Sequence, residues 1–115
     1  MKGKFINGRL TVSENIADLG GAKLAFLAYR ELRESQPKTY NAGGFSEDQQ
    51  FFLAHGQSWC SRMRPAELQR RLTVDTHSPP SWRIYGALRN MPEFAQAFSC
   101  AAGTPMRPAK ACTVW

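Results

Sequence analysis

Two short stretches hold residue types whose spacing suits chemistry. In Glu14-Asn15-Ile16-Ala17-Asp18-Leu19-Gly20-Gly21, the carboxylates Glu14 and Asp18 fall at i and i+4. On a helix that spacing puts both on one face. A carboxylate pair turned toward a core needs a cation or hydrogen bonds, because burying bare charge is costly. Two readings stay open at this point. Thr11-Val12-Ser13-Glu14 fits a capping box, with Glu14 folding back onto the helix start. Alternatively, Glu14 is a metal carboxylate with a supporting acid one turn on. The second stretch is Asp75-Thr76-His77-Ser78-Pro79. An acid two residues before a histidine can fix which ring nitrogen keeps the proton. His77 reads either as a surface loop histidine or as a catalytic one. Downstream, Arg83 reads as a structural salt-bridge partner for Asp18 or Glu14.

The elements that position these groups are helical in pattern. The first helix is expected from about Val12 to Glu34. Its apolar positions, including Ile16, Leu19, Ala22, Phe26 and Tyr29, cover more than one stripe, as in a helix buried on much of its circumference. Asn7-Gly8 reads as a turn, with a short hairpin over Phe5-Ile6 and Leu10–Val12 as one alternative. Gly20-Gly21 costs about 1 kcal/mol per glycine against alanine, which close approach of another backbone would justify. Ser46-Glu47-Asp48-Gln49 is a second capping box, opening a helix to about Arg62 with a Phe52, Gly56, Trp59, Met63 stripe. His55 lies off that stripe and reads as a surface or hydrogen-bonded histidine. Pro65 suits the first position of a third helix that turns Leu68 and Leu72 inward. Asn90-Met91-Pro92-Glu93 caps a fourth, bearing Phe94, Ala97 and Phe98. An irregular tail follows from Gly103. The fold class expected is all-α, with three to four helices.

Size and composition set bounds. A chain of 115 residues is one domain by length. Hydrophobic residues at 43% and charged residues at 21% match globular averages, which argues against disorder. The net charge of +6 invites a nucleic-acid reading, as a small basic helical binding or interaction module. The basic residues are scattered, however, with Arg70-Arg71 the sole adjacent pair, so they read mostly as solvated surface and no nucleic-acid partner is expected. Met1-Lys2-Gly3-Lys4 is basic but precedes no apolar core of a signal peptide, and no apolar run is long enough to span a bilayer. Cys60, Cys100 and Cys112 form no CxxC pair, and an odd count leaves at least one thiol unpaired within the chain.

The string ENIADLGG resembles the third zinc-ligand motif of the neprilysin family of zinc metallopeptidases. Other blocks are similar to the same family: Gly44-Phe45-Ser46 with Gln50-Phe51-Phe52 and Gln57-Ser58-Trp59-Cys60, then Met63-Arg64-Pro65, Pro92 to Phe98, and Cys112-Thr113-Val114-Trp115. The resemblance implies that Glu14 binds zinc, and that Asp18 holds a zinc-bound histidine and takes part in proton transfer. It implies that His77 donates to the oxyanion and Arg83 holds a substrate backbone carbonyl. Trp82, where the family usually has Phe, with Pro80 and Tyr85, departs from the pattern beside Arg83. The resemblance also implies that all three cysteines pair with upstream cysteines, and that Trp115 is the natural end of the protein.

The HExxH motif, with two zinc ligands and the general base, is absent from these residues. The expectation is therefore the C-terminal portion of one catalytic domain over residues 1–115, beginning inside that larger domain. Zinc belongs to the assembled enzyme and is not tightly bound here. The partners implied are a peptide substrate, the upstream HExxH-bearing half and, through the uncovered face, a second copy of the chain. The parent would act in the periplasm, secreted or extracellularly, and the isolated chain would be inactive.

Overall fold

A computed structural model describes residues 5–38 and 42–114. Met1–Lys4 and Trp115, which bear on the expectations about the chain's two ends, lie outside the described residues. Within them the chain is all-helical: α1 Gly8–Ser35, α2 Glu47–Ser58, α3 Pro65–Val74, α4 Pro80–Leu88 and α5 Pro92–Ala97. No sheet is present among the described residues beyond isolated bridges at Ala42–Phe45 and Thr104–Arg107. The helical class is as expected, with α4 as an additional helix. Its start carries no polar cap; Pro80 at the first position sets the backbone instead.

α1 begins four residues before the expected Val12, at Gly8. Asn7-Gly8 is neither a turn nor part of a hairpin. Asn7 is the N-cap, and its Oδ1 accepts from the Leu10 amide at 3.3 Å. Asn suits turns and caps alike, because its short side chain reaches nearby backbone amides. The proposed capping box at Thr11–Glu14 is thereby overturned. Thr11 sits inside the helix, its hydroxyl donating to the Asn7 carbonyl at 3.1 Å. Glu14 is left free to point elsewhere. At 28 residues α1 is about 42 Å long, close to the molecule's longest extent of 46 Å.

The capping box at Ser46 forms as expected: the Gln49 amide donates to Ser46 Oγ, and the Ser46 amide donates to Gln49 Oε1. α2 ends at Ser58, earlier than the expected Arg62, with Trp59 as its C-cap. Arg64 is extended, as a residue preceding proline prefers, and Pro65 opens α3. α3 buries no residue fully, and Leu68 and Leu72 are half-buried. Met91, not Asn90, is the N-cap of α5. Asn90 instead donates to the Gly86 carbonyl at 2.7 Å and accepts from the Cys112 amide at 2.8 Å, tying the tail to α4.

α1 packs on α4, and α2 packs on α5. Leu19, Ala22, Phe26, Phe52, Leu88 and Met91 form the core. Phe52 and Met91 are its most buried large side chains, 2% and 1% exposed. Phe52 stacks on Phe26 at 4.9 Å and meets Phe94 edge-on at 5.3 Å, so one ring joins α1, α2 and α5. Of the glycine pair, Gly20 is buried, but a Cβ at Gly21 would meet nothing within 4 Å. The backbone approach expected there does not occur at Gly21 within the described chain.

Candidate active site

The site forms where the first half of α1 faces the α3–α4 loop and α4. Glu14 and Asp18 share one face of α1. Asp75 and His77 come from the loop, and Arg83 from the second turn of α4. All five residues singled out in the sequence meet along this seam.

The loop is tied down first. The His77 amide donates to Asp75 Oδ1 at 2.9 Å, closing a tight turn in which the same oxygen lies 3.0 Å from His77 Nδ1. These bonds, the backbone one first, hold the Asp75 carboxyl below its ordinary range. Ser78, 5% exposed, donates through Oγ to Asn15 Oδ1 at 2.7 Å, and Asn15 Nδ2 donates to Thr11 Oγ1 at 3.1 Å. This polar chain clamps the loop onto α1. With Asp75 on one ring nitrogen, His77 turns the other, Nε2, toward Glu14 Oε2 at 3.2 Å. In the imidazolium form both ring nitrogens donate, so Nδ1 can hold Asp75 while the Nε2 proton is given onward.

One turn along α1, Asp18 meets Arg83. Arg83 Nε donates to Oδ2 at 2.7 Å and Nη2 donates to Oδ1 at 2.5 Å, a fork-on-fork pair. The two side chains are 16% and 11% exposed, so little water screens them. The hydrogen bonds to Asp18 push the Arg83 pKa up, and burial opposes this. The guanidinium lies over the Trp59 ring, 4.0 Å from its centroid. His55, one turn before Trp59, is half-buried, and its Nε2 has no hydrogen-bond partner. Burial pushes its pKa down, and the Asp18 carboxylate pulls it the other way. Asp18, Arg83 and Ser78 line a cavity of about 570 Å³ whose apolar wall includes Val12, Ile16 and Val114.

Trp82 and Tyr85, two of the departures beside Arg83, form an edge-to-face pair at 5.1 Å, with Trp82 exposed. Cys60, Cys100 and Cys112 are free thiols. Many basic side chains are engaged with acids: Lys23 with Glu93, Arg30 with Asp48, Arg33 with Glu47, Arg70 and Arg71 with Glu67. Asn15, Ser78 and Trp59 are parts of the site that sequence reasoning did not single out. The signal for Asn15 and Ser78 was adjacency, since each directly follows one of the flagged residues, Glu14 and His77.

Among the described residues, no group of three or more His, Cys, Asp and Glu could hold a metal ion. A zinc site needs three or four protein ligands. Glu14 is of a ligand type, but the described residues do not make a zinc site on their own.

Comparison with known proteins shows the family. The model of "Peptidase family M13" matches residues 1–114. Neprilysin-21 of Caenorhabditis elegans is 42% identical over 115 residues, covering 96% of this chain and 15% of that protein. Endothelin-converting enzyme 1 of Cavia porcellus is 40% identical over 117 residues, covering all of this chain and 16% of that protein. The Mycobacterium tuberculosis zinc metalloprotease Zmp1 in its open state superposes with a TM-score of 0.88 at 35% identity, over 99% of this chain and 18% of that one. The fold is that of a segment of a zinc metalloprotease. The chain belongs to peptidase family M13, the family of neprilysin and endothelin-converting enzyme. It spans about 15% of the length of the curated relatives it matches.

Proposed function

We propose that these 115 residues are part of the catalytic domain of a zinc endopeptidase, carrying one zinc ligand and the groups that hold the reacting peptide. One observation carries the reading. Glu14 and His77, far apart in sequence, face each other at 3.2 Å, with Asp75 on the other imidazole nitrogen. Bound zinc supplies Lewis-acid polarisation in such enzymes. Glu14 contributes one carboxylate ligand. Asp18 orients a ligating histidine from the remainder of the enzyme and takes part in proton transfer; each of its oxygens keeps lone-pair capacity beyond the Arg83 bond. His77, aligned by Asp75, donates from Nε2 to the negative oxygen that develops on the attacked carbonyl. Arg83 spends Nε and Nη2 on Asp18, and its Nη1 donates to a substrate backbone carbonyl.

The remaining ligands and the general base come from an HExxH-bearing half, the partner this reading requires. The substrate is a peptide, and the parent acts in the periplasm, secreted or extracellularly. A single carboxylate cannot hold zinc tightly, so the chain alone binds little zinc and hydrolyses no peptide. The test measures zinc content and peptidase rate of the chain combined with the HExxH-bearing half. Glu14→Ala is expected to lose zinc. His77→Ala is expected to keep zinc and lose turnover about 100-fold, since an oxyanion donor acts mainly in the transition state. Loss of zinc in His77→Ala, or a full rate with zinc retained in Glu14→Ala, overturns the assignment.

A further inference from the structure

The Arg83–Asp18 pair fixes two nitrogens of the guanidinium but leaves its plane free to tilt about the axis between the two residues. A carbonyl acceptor bound by the remaining nitrogen is sensitive to that tilt, because N–H···O bonds weaken steeply away from linearity. Something flat against the guanidinium is needed to fix it. Trp59 is the group in that place: its ring centroid lies 4.0 Å from Arg83 Cζ. Trp59 can reach because α2 stops there. Its amide bonds back to Gly56 in a tightened last turn, and the indole leaves the helix toward α4. Trp59 is half-buried and Arg83 is 16% exposed, so the stack is largely shielded from water. In such a setting a cation over an indole face is attracted more strongly than at an exposed site.

We infer that Trp59 is a positioning residue: its indole is the platform that sets the plane of Arg83, so that Nη1 is presented to the substrate carbonyl. The inference rests on the reading of Arg83 as the carbonyl-binding group. Trp59 acts through Arg83 and touches no reacting atom. It also joins α2 to the α1–α4 seam, so the end of the second helix takes part in the site.

The experiment has two arms. In the 15N-labelled chain, the Arg83 Nε–Hε resonance is expected upfield of other arginines from the indole ring current. It stays partly shifted in Trp59→Phe and moves to the ordinary position in Trp59→Leu, with the α1 and α4 amide spectrum retained. In a full-length enzyme carrying these residues, Trp59→Leu is expected to raise KM about tenfold with little change in kcat, and Trp59→Phe to recover most of the loss. Combined with Arg83→Ala, Trp59→Leu adds nothing further, as expected of two residues acting through one contact. A Trp59→Leu effect that persists in the Arg83→Ala background, or an unshifted Arg83 resonance in the wild type, overturns the inference. An Arg83→Ala enzyme with unchanged kcat/KM instead overturns the carbonyl reading of Arg83, while the resonance shift still judges the stack on its own.

Discussion

Arg83 on α4 grips Asp18 on α1 with two hydrogen bonds across 65 residues of sequence. The pair is the polar counterpart of the aromatic core. The core brings α1 and α2 together and reaches α4 through Leu88, and this pair adds a polar tie between α4 and α1 close to the loop before α4. Glu14 and His77, one turn away, stand face to face.

Removing one member of a largely desolvated pair leaves the other charge uncompensated. Asp18→Ala is therefore expected to destabilise the chain by about 3 kcal/mol. Replacing both members with apolar residues of similar size, Asp18→Leu with Arg83→Met, should recover much of that loss. Urea denaturation followed by circular dichroism measures both. A double variant less stable than Asp18→Ala would show that the pair contributes net stability beyond its mutual compensation.

His55 gives a pH dependence of definite sign. In the unfolded chain it takes a proton near its ordinary value of about 6.5. In the folded chain burial pushes that value down. Between the two, the unfolded state binds more protons, so stability rises with pH and falls on acidification below about 6.5. The urea midpoint of the wild type should drop between neutral and mildly acidic pH more than that of His55→Phe. Equal slopes in the two proteins would remove His55 as the cause.

Phe52 touches the rings of Phe26, Phe51 and Phe94 and is 2% exposed. Truncating a buried phenylalanine to alanine costs about 3–5 kcal/mol. Small domains hold about 5–15 kcal/mol in all, so Phe52→Ala should lose much of the chain's stability. A melting temperature within a few degrees of wild type would mean the three helices are held elsewhere.

Val12, Ile16, Leu24 and Leu27 of α1 are 40–56% exposed, an uncovered apolar run on one long helix. Such patches drive association. The chain is expected to form dimers or larger species, and Ile16→Lys with Leu27→Lys should shift it toward monomer. Light scattering over a range of concentrations measures this. A strictly monomeric wild type at high concentration would contradict the expectation.

Local signals were legible where one contiguous segment supplies both partners of a bond. The Ser46–Gln49 box and Pro65 at the start of α3 are of that kind, as is the Asp75–His77 turn. The residue types of the site were legible too, since Glu14, Asp18, His77 and Arg83 carry chemistry wherever they sit. The cap of α1 was misread because Asn7 serves turns and helix starts equally, and Thr11-x-x-Glu14 satisfies the capping pattern without using it. What only the tertiary structure decided is which groups meet. Nothing local to Asp18 selects Arg83 over a histidine. Nothing in the α2 pattern distinguishes a Trp59 packed in the core from one laid on a guanidinium. Those pairings depend on how α1 lies against α4 and where α2 ends. Contacts between distant segments are fixed by the packing of whole helices, and no single stretch of sequence contains both sides of them.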